Sequence, residues 1–104
     1  MPRVRVGSEA VQELEEAAAW YEARMPGLGT KLVDAFENAL SLLEGELPPL
    51  TPMLGTAGQR GAKRLLLHRF PFSLIAIERS DELIIVALVH HARRPGYWKS
   101  RLPK

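Results

Sequence analysis

Seven consecutive apolar residues, Leu83 to Val89, constrain the fold more than any other stretch of this sequence. The run is short and rich in Ile and Val, which is typical of a β-strand that is buried on both faces. His90, His91 and Arg93 follow it closely, so the carboxyl end of the strand brings hydrogen-bonding and cationic side chains to a surface. We therefore expect the rest of the fold to hold this strand in place, with function at its carboxyl end.

The first half of the chain predicts one short strand and two helices. Arg3–Val6 alternates charged and apolar residues, as a half-buried strand does. Apolar residues then recur at spacings of three and four over residues 9–25 and about 28–44, which predicts two amphipathic helices. Because only Pro26-Gly27 separates these helices, we expect them to form an antiparallel hairpin.

The second half of the chain predicts a loop, three strands and a tail. Residues 46–62 are rich in Pro and Gly and should form a loop. Residues 63–68, 72–79 and 83–90 have strand-like composition and are joined by short turns, so an antiparallel meander is expected. A basic tail should follow from Arg93 onward.

These elements predict an α+β fold of order β-α-α-β-β-β, in which a helical hairpin packs on one face of an antiparallel sheet. The length of 104 residues suits one domain that comprises residues 1–104. The strands are apolar on both faces, so the face opposite the helices needs a second cover. Either the tail or another chain could supply it.

Charge is divided unevenly along the chain. Residues 1–59 carry nine acidic and four basic side chains, a net charge of −5, whereas residues 60–104 carry ten basic and three acidic ones, a net charge of +7. This asymmetry favours a polyanion or an acidic partner for the second half. Basic residues that only solvate a sheet edge and a tail would give the same pattern.

Composition disfavours several classes of protein. The sequence has no Cys, which excludes disulfides and thiolate metal sites. The longest apolar run is far shorter than the roughly 20 residues of a membrane span, and no signal peptide is visible, so we expect a cytoplasmic protein with no membrane partner. No Gly-rich phosphate loop and no metal cluster stands out, so we expect no cofactor and no metal. The adjacent His90 and His91 should point to opposite faces of a strand, which disfavours a shared metal.

Three segments carry a further signal: AAAWYEARMPGLGTKLVDAF, RLLLHRFPFSLIAI and ALVHHARRPGYWKSR. Together with the order of elements, they resemble the RelE/ParE toxin superfamily of bacterial type II toxin–antitoxin modules. The resemblance covers nearly the whole chain. It implies that this protein is a toxin and that a cognate antitoxin neutralises it. The C-terminal segment of the antitoxin would wrap around the toxin in a toxin–antitoxin hetero-oligomer.

The superfamily offers two targets. ParE-like toxins inhibit DNA gyrase and are not known as nucleases, whereas RelE-like toxins enter the ribosomal A site and cut mRNA. We favour the ParE-like function. The alternatives are a RelE-like ribosome-dependent mRNA endoribonuclease, which would be an enzyme, and a non-toxic degenerate member that acts only in a complex with its antitoxin.

Four residues form the candidate catalytic set if the protein is a nuclease. Arg64 and Arg93 could hold a phosphate, because a guanidinium group matches its oxygens bidentately. His90 or His91 could exchange protons near neutral pH, with His90 placed in the set, and Tyr97 could stack on a base or act as an acid. The resemblance implies the same roles for Arg93 and Tyr97. The candidates for nucleic-acid or target binding are Lys63, Arg69, Arg94, Trp98 and Lys99.

Structural roles stay open for several of these residues. His90 ends an apolar strand and could simply bond to the backbone. Arg93 and Arg94 could contact only the acidic side chains of an antitoxin. Tyr97 and Trp98 could pin the tail to the core.

Overall fold

The computed structural model describes residues 3–45, 49–93 and 96–102, and within these ranges the chain forms five strands, three α-helices and one 3-10 turn. The elements are, in chain order, β1 (Arg3–Val6), α1 (Ser8–Arg24), α2 (Leu28–Leu43), β2 (Thr51–Pro52), α3 (Gly55–Gln59), β3 (Lys63–Leu66), β4 (Phe72–Arg79), β5 (Glu82–His90) and the 3-10 turn (Lys99–Arg101). The predicted α+β class and the order of the long elements are confirmed.

The strands form one sheet in the order β1-β5-β4-β3-β2. β3, β4 and β5 make the predicted antiparallel meander. β1 joins the far side of β5 in parallel, with Arg3 opposite Glu82 and Val6 opposite Ile85, so the sheet is mixed rather than wholly antiparallel. Helices α1 and α2 and the elements from β2 to β4 lie between these two strands along the chain, so no tight turn forces β1 and β5 to run antiparallel.

The segment predicted as a loop contains two short elements. In β2, Thr51 pairs with Arg64 and Pro52 pairs with Lys63. Helix α3 buries Ala57. The Pro and Gly content of this segment favours a loop, but the burial of Ala57 against the sheet overrides that local preference.

The helical hairpin is tight because a glycine lies where the helices meet. A Cβ atom on Gly29 would lie 2.5 Å from the carbonyl oxygen of Ala18, so only glycine allows this approach. The Glu22 carboxylate accepts hydrogen bonds from the N–H groups of Gly27 (2.8 Å) and Gly29 (3.0 Å). These bonds satisfy amides at the start of α2 that have no partner within the helix.

The hairpin covers one face of the sheet, as predicted, and forms the first core. The side chains of this core come from both helices, from the three meander strands and from the segment between β3 and β4. Its buried members are Ala10, Leu32, Phe36, Ala39, Leu43, Leu67, Phe72, Leu74, Ala76, Leu83, Ile85 and Leu88.

The chain itself covers the other face and forms a second core there. The cover consists of α3 and of residues 96–102, called the C-terminal turn below. Its buried members are Ala57, Ala62, Ile75, Ile77, Val86, Ala87, Trp98 and Leu102. Both Val86 and Ala87 reach this face because a bulge in β5 leaves Val86 without an opposite residue on β4.

Candidate functional site

The carboxyl half of β5 extends beyond the pairing with β1, which ends at Ile85. Along that edge, side chains rather than a neighbouring strand form hydrogen bonds with the backbone of β5. The N–H group of Leu88 donates to Glu13 Oε1 (3.1 Å), and the carbonyl of Val86 accepts from Arg101 Nη1 (3.0 Å). Glu13 and Arg101 thus satisfy backbone groups that would otherwise lack partners where strand pairing stops.

Glu13 joins the helical hairpin to the C-terminal turn. Its side chain is only 13% exposed, and its carboxylate accepts bonds from Arg101 Nη1 (2.9 Å) and from the hydroxyl of Tyr97. The Arg101 side chain is 18% exposed, and its Nε also lies 3.7 Å from Glu9 Oε2. A carboxylate this buried is stable because charged and polar donors surround it.

Tyr97 faces this carboxylate. Its hydroxyl donates to Glu13 and lies 3.5 Å from the carbonyl oxygen of Leu88. Burial, together with the hydrogen bond to Glu13 and the negative charge of Glu13, raises the pKa of Tyr97 to about 12, although the charges of Arg93 and Arg101 oppose the shift. The phenol is therefore protonated at neutral pH and already engaged inside the protein.

A cleft of about 350 Å³ lies on the second face of the sheet, beside the C-terminal turn. It is lined by four residues that the sequence singles out, Arg64, His90, Arg93 and Trp98. The fold therefore brings Arg64 of β3, Arg93 just after β5 and Trp98 of the C-terminal turn to one surface. We call this surface the basic cleft.

Arg93 and the two histidines differ in how they meet the basic cleft. The Arg93 guanidinium carbon lies 4.1 Å from the centre of the Tyr97 ring, a cation–π stack. The His90 ring packs edge-on against Phe72 at 5.0 Å, on the helical side of the sheet. His91 Nε2 lies 2.9 Å from Ser73 Oγ, and both residues line the cleft.

The other predicted residues lie elsewhere. Lys63 Nζ forms an exposed ion pair with Glu78 Oε1 at 3.0 Å. Arg69 lines a different groove, and Lys99 is exposed on the 3-10 turn. Arg94 lies outside the described residues.

Sequence reasoning missed Glu13 and Arg101, which hold the site together. Glu13 lies three residues after the buried Ala10 and so sits on the margin of the apolar stripe of α1. The sequence signal for Glu13 was an acidic residue beside the apolar face of a helix, in a chain whose tail is basic. The partner could not be identified, because Arg101 lies 88 residues away along the chain.

A second groove, of about 710 Å³, runs between α2 and the segment that joins β3 to β4. We call it the helix–strand groove. Leu42 and Leu66 line it and are 58% and 57% exposed, a high exposure for such large apolar side chains. Lys31, Asp34 and Arg69 line the same groove, and these three charged side chains sum to a net charge of +1. The groove is thus apolar inside and carries basic residues.

In the part of the chain that the structure describes, no three His, Asp or Glu side chains are placed to hold a metal ion. The described helices include none that is long and apolar enough to cross a membrane.

The chain is similar to a solved structure described as the "Chromosomal ParDE TA system from P. aeruginosa". The TM-score is 0.73 at 19% sequence identity, and the match covers 86% of this chain and 96% of that chain. No protein-family model and no curated protein matches the sequence. The structural similarity shows that this chain shares its fold with a chain of that ParDE structure.

Proposed function

We propose that this protein is the toxin of a type II toxin–antitoxin module and that it inhibits DNA gyrase by binding it, as a ParE-like toxin. The observation that carries the proposal is the fold shared with a chain of a ParDE system over 86% of the present chain. In this proposal the protein acts in the cytoplasm on a cytoplasmic target and needs no cofactor.

The placement of Tyr97 and His90 favours binding over RNA cleavage. Cleavage by attack of a 2′-hydroxyl needs a free acid and a free base beside the phosphate. The Tyr97 hydroxyl donates to Glu13, and its pKa is raised to about 12. The His90 ring packs on Phe72, and its Nδ1 accepts a bond from the N–H group of Ala92 (3.0 Å). The Tyr97 hydroxyl and the His90 ring are thus occupied by contacts within the fold.

The basic cleft is the surface that we assign to the target. It combines Arg64, Arg93 and Trp98, and Arg and Trp are the residue types that most often dominate the energy of protein interfaces. The net charge of +7 over residues 60–104 attracts an acidic surface or a gyrase–DNA complex. In this proposal the cleft only binds its target and catalyses no reaction.

We assign the helix–strand groove to the cognate antitoxin. Its exposed leucines suit the apolar face of an amphipathic segment, and Lys31 and Arg69 suit acidic residues on the same segment. The occupant that we propose is therefore an acidic amphipathic segment of the antitoxin. A small reading frame next to the gene for this protein would be the first place to look for it.

The antitoxin assignment can be tested with two variants of the same chemical type. Leu42→Glu places a charge in the groove, whereas Leu54→Glu places it at a site that is 94% exposed and outside the groove. Co-expression with the product of the neighbouring reading frame should rescue growth from Leu54→Glu but not from Leu42→Glu. Equal rescue of both variants would show that the antitoxin binds elsewhere.

Two assays run side by side test the proposed target. Purified protein should block DNA supercoiling by gyrase and leave mRNA on translating ribosomes intact. The opposite pair of results would establish the RelE-like function instead. Expression without antitoxin should arrest growth, and the lack of any arrest would indicate the non-toxic member.

The RelE-like nuclease remains the second candidate, because Arg64 and Arg93 line one cleft with His91. Two guanidinium groups and an imidazole could hold a phosphate and exchange a proton. If this is the activity, Arg93→Ala should abolish cleavage. Tyr97→Phe then decides whether the phenol takes part, since that variant keeps the ring on which Arg93 stacks.

A further inference from the structure

We propose that Glu13 is a positioning residue of the basic cleft: its carboxylate fixes the C-terminal turn so that Arg93 and Trp98 form the cleft wall. The proposal rests on the proposed function only for what the cleft binds. The positioning itself follows from the contacts of Glu13 and can be measured without any target.

The carboxylate holds the C-terminal turn at two points on either side of Trp98. Tyr97, just before Trp98, donates its hydroxyl to Glu13 Oε2. Arg101, three residues after Trp98, donates through Nη1 to Glu13 Oε1 at 2.9 Å. Leu88 N–H ties the same carboxylate to β5 at 3.1 Å. One side chain on α1 thus sets the place of the turn relative to the central strand.

Tyr97 links the position of the Arg93 side chain to Glu13. The guanidinium of Arg93 stacks on the Tyr97 ring at 4.1 Å, and among the described residues Arg93 has no carboxylate within ion-pair distance. The ring is therefore the surface that locates this cation. Because the hydroxyl of the same ring is held by Glu13, the orientation of the Arg93 platform depends on that carboxylate.

The burial of Trp98 also depends on the attachment of the C-terminal turn to Glu13. Its side chain is 3% exposed, packs in the second core and lines the basic cleft. The N–H group of Arg101 donates to the carbonyl of Trp98 at 2.9 Å, which closes the turn around the indole. If the turn left the sheet, Trp98 would become accessible to solvent and the cleft would lose a wall.

The negative charge of Glu13 matters as well as its shape. Arg101 is mostly buried, and Glu13 is the carboxylate in hydrogen-bond contact with it, while Glu9 lies farther off at 3.7 Å. A neutral amide at position 13 would leave this guanidinium partly buried with a weak partner, which is unfavourable. Its NH2 group would also replace one of the two acceptors, either the oxygen that the Tyr97 hydroxyl needs or the oxygen that Leu88 N–H and Arg101 need.

The test compares Glu13→Gln with Glu16→Gln, which makes the same change at an exposed position of the same helix. Both are made in a Trp20→Phe, Tyr21→Phe background. Since the chain has two Trp and two Tyr, Trp98 and Tyr97 are then the only reporters of their kind. Three quantities are measured: iodide quenching of Trp98 fluorescence, the alkaline absorbance titration of Tyr97, and the concentration that half-inhibits gyrase.

We expect Glu13→Gln to raise the Trp98 quenching constant severalfold and to lower the Tyr97 pKa from about 12 towards 10. Burial also raises this pKa, but without the negative charge of Glu13 it is opposed by the positive charges of Arg93 and Arg101 alone, and a loosened turn would reduce the burial as well. The half-inhibitory concentration should rise about tenfold, the change that corresponds to losing one charged hydrogen bond. Glu16→Gln should match the background in all three measurements.

Two results would overturn the proposal: Glu13→Gln indistinguishable from Glu16→Gln in quenching and titration, or a loosened turn with unchanged potency in a protein that does inhibit gyrase. If neither wild type nor the background protein inhibits gyrase, the proposed function fails, and the two spectroscopic readouts still decide whether Glu13 positions the turn. If Glu13→Gln does not fold, Tyr97→Phe in the Trp20→Phe background replaces it, since it removes one of the two anchors and keeps the ring. It should raise Trp98 quenching, and no increase would refute the role.

Discussion

Replacing Trp98 by Ala tests whether the C-terminal turn is an integral part of the core. Trp98 is 3% exposed and packs in the second core with Leu102 and Ile75. Truncating a buried Trp to Ala removes its apolar surface and leaves a cavity, which costs about 3–5 kcal/mol. A domain of this size is stable by about 5–15 kcal/mol, so the variant should fold but be much weakened.

Urea denaturation measures this loss. With a slope of about 1.5 kcal/mol per molar urea, the midpoint should fall by about 2–3 M. Trp20→Ala is the matched control, because Trp20 is 52% exposed. The Arg24 guanidinium stacks 3.4 Å from its ring centre, and the Tyr21 ring meets it edge-on at 5.0 Å. A stack at an exposed site is worth about 0.5–1 kcal/mol, so this control should shift the midpoint by less than about 1 M. Equal losses in the two variants would show that the turn does not complete the core.

Three further predictions concern the rest of the fold. Because the pKa of Tyr97 is raised to about 12, the folded protein keeps a proton that the unfolded chain loses near pH 10. The stabilisation that Tyr97 provides is therefore complete below pH 10 and is lost as the pH rises to about 12. The difference in unfolding free energy between wild type and Tyr97→Phe, measured by urea denaturation, should shrink over that window. Gly29→Ala should lower stability by about 1–2 kcal/mol, because its Cβ would meet the Ala18 carbonyl oxygen at 2.5 Å and this overpacking outweighs the gain of about 1 kcal/mol in helix propensity; a more stable variant in thermal melts would contradict the close approach. Lys63→Ala should change stability by less than about 1 kcal/mol, because the ion pair with Glu78 is exposed, and a larger loss in the same melts would mean that Lys63 has a structural role.

The sequence predicts those elements whose pattern is long and local. The apolar run Leu83 to Val89 forms the centre of β5, and the three- and four-residue spacing gives α1 and α2 within one or two residues of their observed ends. These patterns succeed because each element buries one of its own faces, and that face can be read from neighbouring residues.

The parts that the sequence did not predict depend on distant contacts. β1 is four residues long, and nothing in it specifies a parallel pairing with β5. Helix α3 is a five-residue element that is held by burial of Ala57 rather than by its Gly-containing sequence. Local propensity gives no information on either contact.

The candidate site was only partly accessible to sequence reasoning. A strand that ends in His90 and is followed by Arg93 indicates a surface with cations, and Arg93 does line a cleft with Arg64 and Trp98. The role of Tyr97 depends on Glu13, 84 residues earlier in the chain, and only the folded chain shows that contact. A carboxylate on a helix can be recognised as part of a site only when its partners are known.

The measurement that tests the account most directly is the concentration of protein that half-inhibits gyrase supercoiling, compared between wild type, Arg93→Ala and Lys31→Ala. Arg93 lines the basic cleft, whereas Lys31 lines the helix–strand groove. Arg93→Ala should raise this concentration about tenfold or more, as removal of a dominant interface Arg does, and Lys31→Ala should leave it unchanged. Equal potency of Arg93→Ala and wild type, or no inhibition by wild type, would contradict the assignment of the basic cleft to gyrase.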